Sequence, residues 1–231
     1  MVCLFWTLSA GLLGGYRFLS HWSFFSIEDL TVQGNDVLSR EEILRTARLS
    51  LGLNCLDVSI ANVQHRLIDH PWIKMVRVRR ILPDKLYIFI EEKEPFFWIK
   101  CNNAIYYADK QGTSIAPVTA GRFLLRPFLR WEGDMQQREV MDTFLEMVTR
   151  KDSFLTLEEL AWIHFVQGGL FTLFVQDWEI EITMESQNIR SNWSFLQNLW
   201  YDLLKRKELN HVSHIRIYEQ MGWAQLLPPA S

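Results

Sequence analysis

Residues 72–98, WIKMVRVRRILPDKLYIFIEEKEPFFW, constrain the fold more than any other stretch of the chain. Residues 73–81 are rich in Ile and Val, with Lys74, Arg77 and Arg79 set among them. Pro83 presets its own φ and Asp84 supports a local turn bond, so residues 82–85 reverse the chain. Residues 86–91 then alternate, with Leu86, Ile88 and Ile90 on one face and Tyr87, Phe89 and Glu91 on the other. Pro95 has no N–H to give a ladder, so it ends the strand or marks an edge. The pattern is a β-hairpin followed by a third extended run, and nothing in it is chemically reactive.

The residues before the hairpin give it something to pack on. Residues 24–34 carry Ile27, Leu30 and Val32 as a short strand, closed by a Gly34-Asn35 turn. Ser39 with Glu42 three later is a capping box, followed by a helical face of Ile43, Leu44 and Ala47. Asp57 is a candidate N-cap for a second helix, with Ile60, Val63 or Gln64, and Leu67 on one face. Pro71 stops that helix by holding His70 away from helical dihedrals. The order is β-α-α-β-β within one small unit, which two layers around one core can satisfy.

Composition narrows the function classes. The chain has 231 residues, 48% of them hydrophobic, which allows a short tail and one or two domains. Its 24 basic and 27 acidic residues leave a net charge of −3, with no clustered positive charge of the kind a nucleic-acid surface needs. Cys3, Cys55 and Cys101 are too few for a disulfide scaffold and lack zinc-site spacing. Cys55 and Cys101 fit either a pair or two separate thiols. His211 and His214 approach a strand with no Cys beside them, so no metal site is expected. No nucleophile–base pair, carboxylate pair or phosphate loop is present; Gln167-Gly168-Gly169 has no Lys-Ser/Thr after it. No enzyme activity and no cofactor are expected.

Residues 2–16 carry no charge, and residues 1–19 reach the short limit of a membrane span if Arg17 extends to a headgroup. A secretory signal would need basic residues ahead of the apolar core and a small-residue cleavage site, and neither is there. We expect a single anchor. No Lys or Arg precedes it, so charge does not set its orientation; a basic tail upstream of Met1 would. Trp22, Phe24 and Phe25 suit the far interface.

A second unit, residues 96–227, is expected to be a mostly antiparallel sheet with helices packed on it, which makes the chain α+β. Residues 96–100 and 104–108 are extended. Asp109 sits in a turn at 109–112, with no second acid or His to make it catalytic. An amphipathic helix covers 137–150, with Val140, Phe144, Met147 and Val148 inward. Strands follow at 157–165, with Leu160, Trp162 and His164 on one face, at 170–175, and at 178–184, with Trp178, Ile180, Ile182 and Met184 inward. A helix at 192–206 turns Leu196, Leu199, Trp200, Leu203 and Leu204 inward. A strand at 212–218, a bend at 219–221 and a last extended run at 222–226 lead to the tail, 228–231. An edge near the chain end leaves backbone groups free for a partner to add a strand, and Tyr218 and Trp223 bring apolar area to it. From the residues alone, the favoured reading is that Trp223 packs back on its own sheet and the tail is loose.

Several of these segments resemble the bacterial cell division family FtsQ/DivIB, with one POTRA domain. The resemblance rests on Val32-x-Gly34-Asn35, Pro71-Trp72-Ile73, Arg79-Arg80-x-Leu82-Pro83-Asp84-x-Leu86, and Glu91 with Pro95. Tyr107-x-Asp109-x-x-Gly112 and the passage from Leu124 to Gly133 resemble the family's second domain. The resemblance implies an inner-membrane protein at the septum, residues 1–19 in the bilayer, a POTRA domain at 24–95 and most of the chain periplasmic. It implies a scaffold that binds FtsB-like and FtsL-like coiled-coil proteins, and other division components through the POTRA domain. The implied partner-binding residues are Tyr218, Glu219, Gly222, Trp223 and Ala224. Ile215 and Ile217 stand where the family pattern has an acid and an arginine. A transport or chaperone-like POTRA module that binds extended clients is the other reading, although the helices at 137–150 and 192–206 do not suit a following barrel.

Overall fold

The alternation in residues 86–91 builds the centre of the first sheet. A computed structural model describes residues 23–132, 137–166, 168–218 and 221–226. The expected anchor at 1–19, Glu219 and the tail at 228–231 lie outside these residues. Among the described residues, no helix is long and apolar enough to cross a membrane. The chain divides into two compact units, with the boundary between Lys93 and Glu94.

In the first unit, β1 (Asp29–Gln33), β2 (Ile73–Ile81) and β3 (Lys85–Glu92) form a sheet in the order β1-β3-β2. β3 runs parallel to β1 and antiparallel to β2. Leu86, Ile88 and Ile90 are buried, as their spacing requires, and each such burial stabilises by roughly 1.5–3 kcal/mol. The helices α1 (Arg40–Ala47) and α2 (Ile60–Ile68) bury Ile43 and Ala47, and Val63 and Leu67. The Ser39 Oγ accepts from the Glu42 N–H at 3.2 Å and caps α1. The cap of α2 is Ser59, not Asp57: its Oγ accepts from Asn62 N–H at 3.4 Å. Asp57 lies two residues too early, in a turn where its N–H reaches Asn54 O at 3.1 Å.

Three residues of the hairpin and its flanks hold the loops around this sheet. Gly34 has φ +80, and a Cβ there would lie 2.1 Å from the backbone oxygen of Ile90. Only glycine lets the chain pass so close to β3. The Glu92 carboxylate accepts from the N–H groups of Asp36, Val37 and Leu38 at 3.2, 2.6 and 2.8 Å. Arg80 donates to the carbonyl of Val58, which ties β2 to the stretch before α2.

Among the described residues of the second unit, nine strands form one sheet: β4 (Phe97–Cys101), β5 (Ala104–Ala108), β6 (Ser114–Pro117), β7 (Phe128–Trp131), β8 (Leu160–Val166), β9 (Leu170–Val175), β10 (Ile180–Glu185), β11 (Val212–Tyr218) and β12 (Met221–Leu226). Their order is β12-β11-β10-β9-β8-β7-β4-β5-β6. Five neighbouring pairs are antiparallel, and three, β4/β7, β7/β8 and β10/β11, are parallel. α3 (Gln137–Val148) and α4 (Ile189–Arg206) supply Phe144 and Trp193 to the core, where Phe144 meets Phe171 at 5.8 Å and Trp193 at 5.6 Å, both edge to face. α4 is the crossover that lets β11 lie parallel to β10.

Several sequence expectations shift by a residue or a face. Residues 157–159 are a short 3-10 turn, and the strand begins at Leu160. A bulge between Leu160 and Trp162 then changes the face: Ile163 and Phe165 point into the core, while Trp162 and His164 are half-buried on the other side. Trp178 lies in the turn before β10 rather than in the strand, and its ring meets that of Trp200 at 6.1 Å. Leu204 is exposed, because the core-facing stripe of α4 runs through Trp193, Leu196, Trp200 and Leu203. β6 and β7 were not expected from the sequence. Asp109 is a turn residue, with Oδ1 accepting from the N–H of Gln111 at 3.0 Å and of Thr113 at 2.8 Å.

Candidate interaction surface at the last strand

The sequence MGWAQL, residues 221–226, alternates exposed and small residues. That alternation decides what β12 presents. Among the described residues, β12 pairs with β11 on one side only, and it ends the sheet. Its register sets Met221 opposite Tyr218, Gly222 opposite Ile217, Trp223 opposite Arg216 and Ala224 opposite Ile215. Ile215 and Ile217 are fully buried, so Gly222 and Ala224 share the face turned to α4. Packing there is tight: a Cβ on Gly222 would lie 2.6 Å from Cε1 of Phe195. This contact presses the edge strand onto α4 while the backbone groups on its free side stay available.

The opposite face carries Tyr218, Met221 and Trp223. Met221 and Trp223 are each 56% exposed, and Leu226 at the strand's end is 57% exposed. The rings of Tyr218 and Trp223 lie 6.0 Å apart at 53°, so the half-buried Tyr218 supports an exposed Trp223. His214, Arg216, Tyr218, Trp223, Ala224 and Gln225 line a shallow hollow beside the pair. Glu181 on β10 lies 3.9 Å from His214 Nε2.

Of the five residues expected to bind a partner, Tyr218 and Trp223 come together on the solvent face, and Gly222 and Ala224 lie on the helix face. Glu219 is outside the described residues. The sequence reading missed Met221 and Leu226, having placed Met221 in a bend. The alternation MxWxQ across Met221, Trp223 and Gln225 was the available signal.

No group of three or more His, Cys, Asp and Glu side chains able to hold a metal occurs among the described residues. Cys55 is a buried free thiol and Cys101 an exposed one. Burial pushes the Cys55 thiol up from its ordinary value, which keeps it protonated and unreactive. Two surface carboxylates are held below the usual range. Glu132 is lowered by its bond to Arg130, with His164 adding to it, and Glu146 by its bonds to Arg190 and then Arg150.

Comparison with known proteins bears on the first unit and on the length of the chain. Residues 25–93 match the model of the POTRA domain, FtsQ-type. The chain is 26% identical over 201 residues to the cell division protein FtsQ of Geotalea daltonii, covering 82% of this chain and 72% of that one. It is 26% identical to the cell division protein FtsQ of a Geobacter species, over 85% of this chain and 76% of the relative. The cell division protein DivIB of Clostridium acetobutylicum matches over 89 residues at 26% identity, which is 38% of this chain and 36% of that protein. The chain thus carries a POTRA domain of the FtsQ type followed, among the described residues, by a nine-stranded sheet, and along most of its length it is similar to proteins named cell division protein FtsQ.

Proposed function

We propose that this protein is a non-enzymatic, membrane-anchored scaffold of the division machinery, and that it holds FtsB-like and FtsL-like coiled-coil partners on its second unit. Residues 1–19 anchor it in the inner membrane at the septum, with the bulk of the chain on the periplasmic side. The observation that carries this reading is the uncharged edge strand β12, which ends the nine-stranded sheet and exposes Met221, Trp223 and Leu226. An extended partner segment added there gains main-chain hydrogen bonds from the free edge and apolar contact from Trp223. Aromatic anchors of this kind dominate interface energetics, because a few residues carry most of the binding energy. No catalytic constellation is needed for this role.

The test is co-purification of the chain with the candidate coiled-coil partner, comparing wild type with Trp223→Ala and Tyr218→Ala. Trp223→Ala weakens binding by about tenfold or more, and Tyr218→Ala by less, because it acts by supporting Trp223. Undiminished binding in both folded variants would remove β12 as the site.

A further inference from the structure

A second opening in the nine-stranded sheet lies far along the strand order from β12. β4 and β7 are joined at one residue pair, Trp98 with Phe128, secured by Trp98 N–H to Pro127 O at 2.9 Å. Each strand keeps a full ladder on its other side, β4 with β5 and β7 with β8. Beyond the joint, a cavity of about 670 Å³ lies among Ile99, Lys100, Leu129, Arg130, Arg138 and Met141. It forms a notch between the two strands, past their single pair.

Ladder geometry says what the two walls of the notch present. In a strand, successive residues turn their N–H and C=O to opposite sides. Trp98 bonds toward β7, so Lys100, two residues on, turns its backbone groups the same way. On β7, Glu132 N–H reaches Phe165 O of β8 at 2.9 Å, so the even-numbered residues serve β8. The odd-numbered Leu129 and Trp131 therefore turn toward β4. The notch has hydrogen-bonding backbone on both walls.

The side chains around it differ between the two faces of the sheet. Phe128 and Arg130, like Trp98 and Lys100, lie on the face away from the core. Leu129 is buried on the core face, beside the buried Met141 of α3. Among the described lining residues, three are cations, Lys100, Arg130 and Arg138, and none is a carboxylate. Arg130 is engaged by Glu132 at 2.6 Å, an exposed pair that a ligand carboxylate can replace at little cost.

We propose that this notch binds an extended peptide segment of alternating acidic and apolar residues. The segment lies between β4 and β7 and bonds to the backbone of Lys100 and Trp131. Its alternate side chains point to opposite faces. The acidic ones meet Lys100 and Arg130, and the apolar ones meet Ile99, Leu129 and Met141. Charge complementarity selects the acids, and the buried Leu129 and Met141 select the apolar positions. The site is independent of the edge at β12.

The experiment is fluorescence anisotropy on the full chain in detergent, with three labelled hexapeptides. The first is Glu-Val-Glu-Val-Glu-Val. The second is Glu-Glu-Glu-Val-Val-Val, which has the same composition and charge. The third is the first with N-methyl groups on alternate backbone nitrogens. The alternating peptide binds, and the other two bind about tenfold more weakly or worse. Lys100→Glu combined with Arg130→Gln abolishes binding of the alternating peptide, with near-ultraviolet circular dichroism showing the fold retained, while Trp223→Ala leaves it unchanged. Equal binding of the first two peptides, which reports bulk charge alone, overturns the proposal. So does binding that survives the Lys100/Arg130 substitutions. A third overturning result is binding only to phosphatidylglycerol vesicles through the same residues, which assigns the cations to a lipid surface. The peptide comparison uses the unaltered protein, so it decides the matter even if the double variant fails to fold.

Discussion

The first unit and the last strand treat a free sheet edge in opposite ways. β2, an edge of the first sheet, is nine residues long and places Lys74, Arg77 and Arg79 in solvent. Lys74 also pairs with Glu91. Charges on an edge oppose pairing with another chain, so β2 is guarded. β12 carries no charge and exposes Met221, Trp223 and Leu226. An unguarded edge is open to pairing with an added strand. The glycines differ in parallel. Gly34 is fixed by positive φ and by a backbone oxygen, whereas Gly222 is fixed by the side chain of Phe195, which can yield.

That difference gives the largest expected effect. Gly34→Ala must move β3 or the turn and should cost on the order of 2–4 kcal/mol. Gly222→Ala asks only for a shift of Phe195 and should cost about 1–2 kcal/mol. Chemical denaturation of each variant measures both. A Gly222→Ala cost equal to or above that of Gly34→Ala would show that β12 is held as rigidly as the first sheet.

Removing the guard is the next test. Arg77→Val with Arg79→Val leaves β2 reading IKMVVVVRI, a β-branched, apolar edge, and should produce concentration-dependent self-association in sedimentation velocity. A variant that stays monomeric at every concentration would mean that the two arginines do not protect this edge.

The smallest effect concerns pH. The Glu146 carboxyl is lowered below 4.5 in the folded state, first by Arg190 and then by Arg150. A depressed carboxylate contributes stability above its unfolded value, and that contribution is lost as pH falls through the lower folded value. Wild type should therefore lose melting temperature below about pH 4.5 slightly more steeply than Glu146→Gln, which has nothing to titrate there. Matching slopes from about pH 6 down to pH 3 would show the ion pairs to be energetically silent, as many exposed pairs are.

The sequence announces β2 and β3 residue by residue because alternation and a proline turn sit side by side, and Leu86, Ile88 and Ile90 have no other face to bury. It announces β11 from 212 to 218 by the alternation of Ile215 and Ile217 with polar neighbours. It misleads at Trp162, because one inserted residue at the bulge reverses the parity that alternation counts. It misleads at Asp57, because Asp57 and Ser59 are both good caps and only the path of the turn from Asn54 chooses Ser59. At Leu204, a helical stripe broad enough to include it leaves the true core edge undecided. The order of strands is beyond local pattern altogether: nothing near Phe128 says that it lies between Trp98 and Trp162. The two aromatic rings near the chain end, half-buried Tyr218 and exposed Trp223, were visible by residue type, while the notch between β4 and β7 exists only through long-range placement.

The topology of the first sheet has a mechanical consequence. β1 and β3 are parallel neighbours, paired from Asp29 with Lys85 to Gln33 with Phe89. The chain enters β1 at one end of this ladder and leaves β3 at the other. Tension between residue 23 and residue 93 therefore loads these rungs together, in shear, rather than peeling them one at a time. Glu92, at the exit, adds its hold on the N–H groups of residues 36–38 and so grips the chain where the pull arrives. A protein tethered at its start and gripped near its end would meet load at the point where its first unit is built to share it.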